Sequence, residues 1–470
     1  MKKTKIICSI GPSTQSWEKF KGIVDAGMNV ARINFSHATL EERKIDEDLV
    51  KRANKELGTH IAILYDTKGP DLRTCTFEGD YIELIEGNTI TIVEEDLKDK
   101  GSKEKISFNY RNIVKDLKVG MSVLLDDGFY KLVVENTAED GRSVTCRIMN
   151  GGTIKSRRGV CIPGIKLDIP FISDEDKKDI EYACNKDGDY LALSFVNSAD
   201  DIEEVRKLCA QYGKPNMKII SKVETQYAID NLKEIVKASD YIMIARGDLG
   251  IETGVENLPL YQQMMIDECH LQGKGVIMAT QMMTSMKHSI RPTNAEVTDV
   301  ANAVLQSCDA IMTSDETTMG EYPVETVEKM TEICASVEKY AHPTNNCNNK
   351  KDITSIIAES VVTASNDIEA KVIVAATMSG HTAREISNLR PIAPILATVP
   401  NEKVAHELAL NYGVYPVIVK EYNSTDEVVN DGKAKATEFS KLEKNDHIVI
   451  TGGFPNTGNK ITNFMKIEQI

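Results

Sequence analysis

The sequence predicts an α/β protein whose largest part is a closed (β/α)₈ TIM barrel. A small antiparallel β-barrel domain is inserted in the barrel's third unit, and an open-sheet α/β domain follows the barrel. Three observations predict this. First, eight short runs, TKIICSI, NVARINF, HIAILYD, YLALSFV, MKIISKV, YIMIARG, GVIMATQ and CDAIMTS, are near-continuously hydrophobic, as strands covered on both faces are. Second, polar stretches of helical period separate them, and eight strand–helix units close naturally into a barrel. Third, one interval, from about residue 70 to about residue 190, changes to a period of two.

The elements follow in order. Helical stretches such as WEKFKGIVDAG, ADDIEEVRKLCAQYG and LYQQMMIDECHLQG lie between the runs, each closing on a glycine suited to a C-cap. The odd interval reads as TCTFEGDYIELIEG, TITIVEED, VLLDDGFYKLVVEN and SVTCRIMNGG, strands with one wet face joined by Asp-Gly and Gly-Gly turns. Gly69-Pro70 on one side and IPGIKLDIP (Ile162 to Pro170) on the other are stiff punctuation suited to hinges. The insert leaves from the rim that carries the strand C-termini, where it could act as a water-excluding lid. AHPTNNCNNKKD then reads as a linker. Beyond it the alternation resumes: helical ITSIIAESVVTASND, KVIVAAT, helical HTAREISNLR, APILATV, helical EKVAHELALNYG, VYPVIVK, another helix, and DHIVITG. The expected divisions are 1–69 and 170–342 for the barrel, 70–169 for the insert and 343–470 for the last domain.

Composition narrows the function. A chain of 470 residues holds two or three domains with ample core. The net charge of −15, without a long basic run, argues against nucleic acid. Ten cysteines scattered without a CxxC pair point to reduced thiols. The N-terminal apolar run is too short for a signal peptide and no stretch reaches membrane-spanning length. The expectation is a cytoplasmic protein.

Parallel barrels present reactive side chains at strand C-termini. There the runs deliver Lys222 and Glu224 in IISKVET and Asp248 in IMIARGDLG. Two carboxylates suit a hard divalent cation, and an ammonium beside them suits a transferring phosphate. Surface ion pairs after unrelated strands would leave the same trace for either motif alone. Arg32, Asn34 and Ser36 are spaced by two and share a face, and a strand arginine so placed calls for a phosphate or another matching charge. Asn34, Ser36, Asp66 and Thr67 offer oxygens able to hold a monovalent cation, or to cap strand ends. No GxxxxGK[ST] and no GxGxxG occurs, so any nucleotide binds without a glycine cradle.

MKKTKIICSIGP, AGMNVARINFSH, LYDTKGPDLRT, IISKVET, IMIARGDLGIE, IMATQMMTSM and RPTNAEVTDVANAV together resemble the pyruvate kinase family, over essentially the whole chain. The likeness is strongest to bacterial members without a C-terminal extension. It implies transfer of the phosphoryl group of phosphoenolpyruvate to ADP, giving ATP and pyruvate. By position, it implies that Glu224 and Asp248 hold Mg²⁺ or Mn²⁺, that Lys222 and Arg32 hold the phosphoryl group, and that Thr280 lies near the enolate methylene. Gly247 would offer its N–H to the substrate carboxylate. Asn34, Ser36, Asp66 and Thr67 match K⁺ ligands, and Pro12, Asn34, His37, Arg73 and Arg158 match positions facing the nucleotide. Thr377, Ser379, Gly380, His381 and Thr382 match an effector loop for a sugar phosphate or nucleotide, although a helix N-cap leaves the same trace. A homotetramer is implied too.

The sequence departs from the family pattern in places. Asp71 replaces a glutamate associated with K⁺ dependence, which is still expected here. Asn294 replaces an arginine, Asp315 a glycine, Asn197 an arginine and Lys460 a glycine of the effector site's partner loop. Two rival readings are a metal-dependent pyruvate or oxaloacetate lyase of barrel fold and a catalytically silent sugar-phosphate-binding paralogue. The lyase needs no ADP site. The silent paralogue sits poorly with an intact Lys222, Glu224, Asp248 and Thr280.

Overall fold

The computed structural model describes residues 1–110, 112–165, 169–186, 188–341, 352–453 and 461–470. All eight apolar runs are strands of one closed parallel barrel. They are β1 (Lys5–Ser9), β2 (Val30–Asn34), β3 (Ala62–Asp66), β4 (Tyr190–Leu193), β5 (Lys218–Val223), β6 (Tyr241–Ala245), β7 (Gly275–Ala279) and β8 (Ala310–Thr313). Each pairs with its sequence neighbour and β8 closes on β1, where Lys5 aligns with Ala310. Alternation along each strand divides two cores. Ile6, Ala31, Ile63 and Ile219 face the surrounding helices. Ile7, Val30, Leu64, Ala192, Ile220 and Met243 fill the barrel interior.

That parity positions the site. Arg32 shares the face of Val30, Asp66 that of Leu64, and Lys222 that of Ile220, so three charged groups sit one layer above the apolar interior. Several barrel helices start on capping boxes, with Thr39 to Glu42, Ser173 to Asp176, Ser198 to Asp201 and Thr293 to Glu296 each closing a reciprocal pair.

The segment between β3 and β4 has its own core, built from residues such as Leu72, Phe77, Ile92, Val123 and Ile148. Its strands show the expected alternation of burial, for example exposed–buried–exposed–buried over Tyr81–Leu84. Among the described residues they form a six-stranded and a two-stranded sheet, not one closed ring. All pairings between these strands are antiparallel except that of Thr89–Val93 with Lys105–Ile106. The long turn between these two returns the chain in the same direction. It leaves a two-residue edge strand, too short to recruit another.

The last domain is a five-stranded sheet in the order Val414–Ile418, Ile395–Val399, Val372–Ala376, His447–Gly452, Phe464–Gln469. The final strand is antiparallel and was not foreseen, because its largely open face carries no apolar run. The helix expected over EKVAHELALNYG stops at Glu407. Ala409 and Leu410 leave it to plug the floor of the barrel interior, and Tyr190 and Tyr241 donate hydroxyl hydrogen bonds to His406 O (3.0 Å) and Asn411 Oδ1 (3.1 Å). Burial of two apolar side chains there outweighs another helical turn. Arg390 and Asp309, both buried, add a two-pronged ion pair at 2.8 Å. The linker AHPTNNCNNKKD, bar its first and last residues, lies outside the described residues, as do 166–168 of IPGIKLDIP and Lys460. The described cysteines are all free.

Candidate active site

A cleft of about 530 Å³ opens at the C-terminal rim of the barrel, under the insert. Its walls include Arg32, Asn34, Ser36, His37, Thr67, Arg73, Arg158, Lys222, Glu224, Asp248 and Thr280, residues that the sequence scatters over 249 positions (from 32 to 280, both counted).

Lys222 is the centre of its charge network. Its ammonium donates to Ser194 Oγ (2.7 Å) and lies 3.1 Å from Glu224 Oε1 and 3.5 Å from Asp66 Oδ1. Burial would discharge it, but Asp66 and Glu224 outweigh that and hold it above the ordinary lysine value. Asp66, wholly buried, also takes Arg32 Nε (2.7 Å) and Nη2 (2.6 Å), while Arg32 Nη1 donates to Ser9 Oγ (2.7 Å). Burial opposes ionisation of Asp66, yet Lys222 and Arg32 prevail and keep its carboxyl below the usual range.

Glu224 behaves differently. It is 1% exposed, and burial, opposed by Lys222 and reinforced by Asp248, raises its pKa to about 7. Oε2 accepts Phe195 N–H (2.6 Å), whereas Oε1, although 3.1 Å from Lys222 Nζ, has no hydrogen-bond partner among the described residues. A buried carboxylate oxygen left over beside the cleft, with exposed Asp248 near it, is the donor set a hard divalent cation uses. Among the described residues no group of three His, Cys, Asp or Glu could hold a metal. Two carboxylates would thus be completed by oxygens of substrate and water.

Strand ends around this network are strained. Phe195, Thr280 and Gln281 have φ of 56°, 63° and 56°, unfavourable for any side chain and most for β-branched threonine. Arg246, at the start of the helix Arg246–Thr253, holds that turn: its guanidinium donates to Thr280 O (2.6 Å), Ala279 O (3.3 Å) and Asp299 Oδ1 (2.7 Å). Thr280 Oγ1 in turn accepts Gly247 N–H (3.0 Å). The N–H expected to meet a substrate carboxylate is therefore held by Thr280 here.

The remaining sequence-chosen residues fall into groups. Asn34 Oδ1 accepts Ser36 N–H (3.0 Å), and Ser194 N–H reaches Thr67 Oγ1 (3.4 Å), so the oxygen-bearing ends of β2, β3 and β4 adjoin. Arg73 pairs with Asp71 at the root of the insert, and Arg158 lies 3.4 Å from Asp126. His37 is exposed on the cleft wall, whereas Pro12, also exposed, does not line it. Asp315 makes a surface pair with Lys287 (2.9 Å), and Asn294 begins a capped helix. Asn197 ties two strand ends together through Phe195 O (3.1 Å) and Thr225 Oγ1 (2.6 Å).

Sequence reasoning gave no role to Ser194, Arg246 or the insert's turn Asp126-Asp127, all of which border the cleft or support it. An arginine directly after a buried apolar run, two positions before Asp248, was the available signal for Arg246. In the last domain, Thr377 and Thr382 are buried, while Ser379 and His381 are exposed beside Gly380 (φ 78°). Thr382 Oγ1 meets Thr462 Oγ1 (2.7 Å), and Arg384 Nη1 is buried with no hydrogen-bond partner among the described residues.

Residues 1–327 match the family model "Pyruvate kinase, barrel domain" and residues 355–468 match "Pyruvate kinase, alpha/beta domain". The chain belongs to the pyruvate kinase family. Pyruvate kinase of Staphylococcus saprophyticus is 39% identical over all of this chain and 81% of its own length. That of Clostridium acetobutylicum is 38% identical over 100% of both. A crystal structure of a pyruvate kinase from Cryptosporidium parvum superposes with a TM-score of 0.92 at 36% identity, covering 100% of this chain and 96% of that one. The barrel with its cleft is thus that of a pyruvate kinase, a phosphotransferase. Among the described residues, no helix is long and apolar enough to cross a membrane.

Proposed function

We propose that the phosphoryl transfer of this family, from phosphoenolpyruvate to ADP, is performed here by Lys222, Arg32, Glu224, Asp248 and Thr280. The observation that carries the reading is Lys222 Nζ set between two buried carboxylates, one of which keeps at the cleft an oxygen that takes no hydrogen bond from the described residues. In this reaction the bond from phosphorus to the enol oxygen breaks and one to the ADP β-phosphate forms. The enolate then takes a proton at its methylene carbon. There is little covalent work for the protein, so alignment and charge neutralisation dominate.

Lys222 and Arg32 neutralise the phosphoryl oxygens from two sides. They are already aimed by Asp66 and Ser194, so no reorganisation is needed during the reaction. Thr280, strained and hydroxyl-bearing, stands where a proton reaches the enolate, with water as its source. Gly247 N–H passes from Thr280 Oγ1 to the substrate carboxylate on binding. Glu224 and Asp248 would hold Mg²⁺ or Mn²⁺, which supplies Lewis-acid neutralisation when bound. Asn34, Ser36, Asp66 and Thr67 would hold K⁺, and Asp71 introduces no lysine to replace that ion. Asn34, His37, Arg73 and Arg158 face the nucleotide, with Pro12 at the outer margin, and the insert closes over them.

The Thr377, Ser379, Gly380, His381 and Thr382 loop would take a phosphate effector. Arg384 beside it, whose Nη1 is buried without a hydrogen-bond partner among the described residues, supports the reading. We place the domain divisions at 1–69 with 170–342, 70–169 and 343–470, and propose a cytoplasmic homotetramer. The test is pyruvate formation from phosphoenolpyruvate and ADP with Mg²⁺, in K⁺ and in a tetraalkylammonium buffer, with and without fructose 1,6-bisphosphate, AMP or ribose 5-phosphate. Turnover that needs K⁺ and shifts with one phosphate supports all three assignments. No turnover in any arm would overturn the catalytic one.

A further inference from the structure

The insert joins the barrel through two arms, and each arm's backbone is held by a carboxylate of a barrel helix. On the outgoing arm Gly69 N–H donates to Asp176 Oδ1 (3.1 Å). On the return arm Glu252 takes two donors: the Cys161 thiol at Oε2 (2.9 Å) and Gly164 N–H at Oε1 (3.2 Å). The Gln226 N–H lies close enough to favour its charged form as well. Ile162, before Gly164, belongs to the insert's own core, and Ile165, after it, packs against that core. Glu252 ends the helix Arg246–Thr253, which carries Gly247 and Asp248, and Gln226 opens the helix that follows Glu224. One carboxylate therefore links the insert's core, the Asp248 helix and the end of β5.

We propose that Glu252 is a positioning residue that clamps the return arm of the lid to the helix bearing Asp248, with the Cys161 thiol as its second fastening. The inference rests on the reading that the insert closes over the cleft. A carboxylate suits the place because all three partners are donors and both its oxygens accept. An amide would turn an NH₂ toward one of them and leave a donor facing a donor. Loosening the clamp lowers the fraction of molecules whose lid is set to close. The apparent affinity for the nucleotide falls by that fraction, while the chemistry once closed is unchanged.

The test compares Glu252→Gln, Cys161→Ala and Cys161→Ser with the wild-type chain. It uses hydrogen exchange at residues 160–165, with and without ADP, phosphoenolpyruvate and Mg²⁺, and steady-state kinetics. In Glu252→Gln, exchange at these amides should quicken and KM for ADP should rise about ten-fold, with kcat changed less than about two-fold. Cys161→Ala should shift both readouts in the same direction, and Cys161→Ser, which keeps a donor, should return them toward wild type. That pair carries the test if Glu252→Gln does not fold. Wild-type exchange in Glu252→Gln, or a serine no better than alanine, would overturn the clamp. Wild-type exchange that substrates do not slow would instead overturn lid closure, and the clamp with it.

Discussion

Replacing Lys222 with methionine tests the group on which the proposed phosphoryl chemistry depends. An oxygen of the transferring group at the separation Lys222 already keeps from Glu224, 3.1 Å, would interact with the ammonium by about 5 kcal/mol at an effective dielectric of about 20. The bound phosphate feels part of this before reaction, so about 4 kcal/mol is assigned to the transition state. At about 1.36 kcal/mol per ten-fold, kcat should fall about a thousand-fold. KM for phosphoenolpyruvate should change much less, because Arg32 remains.

The fold should survive the change. Asp66 keeps Arg32 at 2.6 and 2.7 Å, and Glu224, with a pKa already near 7 while Lys222 lowers it, takes a proton readily once the lysine is gone. The assay is steady-state pyruvate formation beside thermal unfolding of the same preparation. An unchanged kcat would refute the assignment. So would a loss of activity that tracks unfolding.

Glu224 should make metal binding depend on pH: Mn²⁺ affinity, read by titration calorimetry or electron paramagnetic resonance, should weaken as pH falls below about 7 and level off above it. Its folded pKa lies above the ordinary 4.5, so without metal its contribution to stability is complete below about 4.5 and fades as pH rises through about 7. Saturating Mg²⁺ should remove that slope in a thermal-unfolding series. Arg390→Met leaves Asp309 buried with only backbone donors, Val276 N–H (2.9 Å) and Tyr412 N–H (3.4 Å). It should cost about 3 kcal/mol in urea unfolding, and no change would mean the pair is solvated. Thr280→Ala removes both the acceptor of Gly247 N–H and a β-branch at φ 63°. It should lower kcat without lowering Tm, whereas an equal loss of both would make Thr280 merely structural.

Much of this was legible in the chain. The eight apolar runs became the barrel because parallel strands buried on both faces have no polar face to interrupt them. Their spacing by two already put Arg32 and Asn34 on one side. Lys222, Glu224 and Asp248 stood out because charged groups directly after buried strands have nowhere to go but the rim. The insert was visible as a change of period.

What only the tertiary structure decided depends on distance between segments. Nothing in the local sequence distinguishes Glu252 from a solvated helix residue until Cys161, some 90 positions earlier, is folded against it. Likewise Ala409 and Leu410 have the propensity to continue their helix, and leave it only because the barrel floor offers them burial. Glu224 and Asp66 are both carboxylates beside the same lysine. Asp66 stays well ionised and Glu224 rises to about 7, because Arg32 reaches only the first. Sequence fixes which groups are present and which way each strand turns them. Charge state, strain and shared partners belong to the packing, because they are set by neighbours that the chain brings together only on folding.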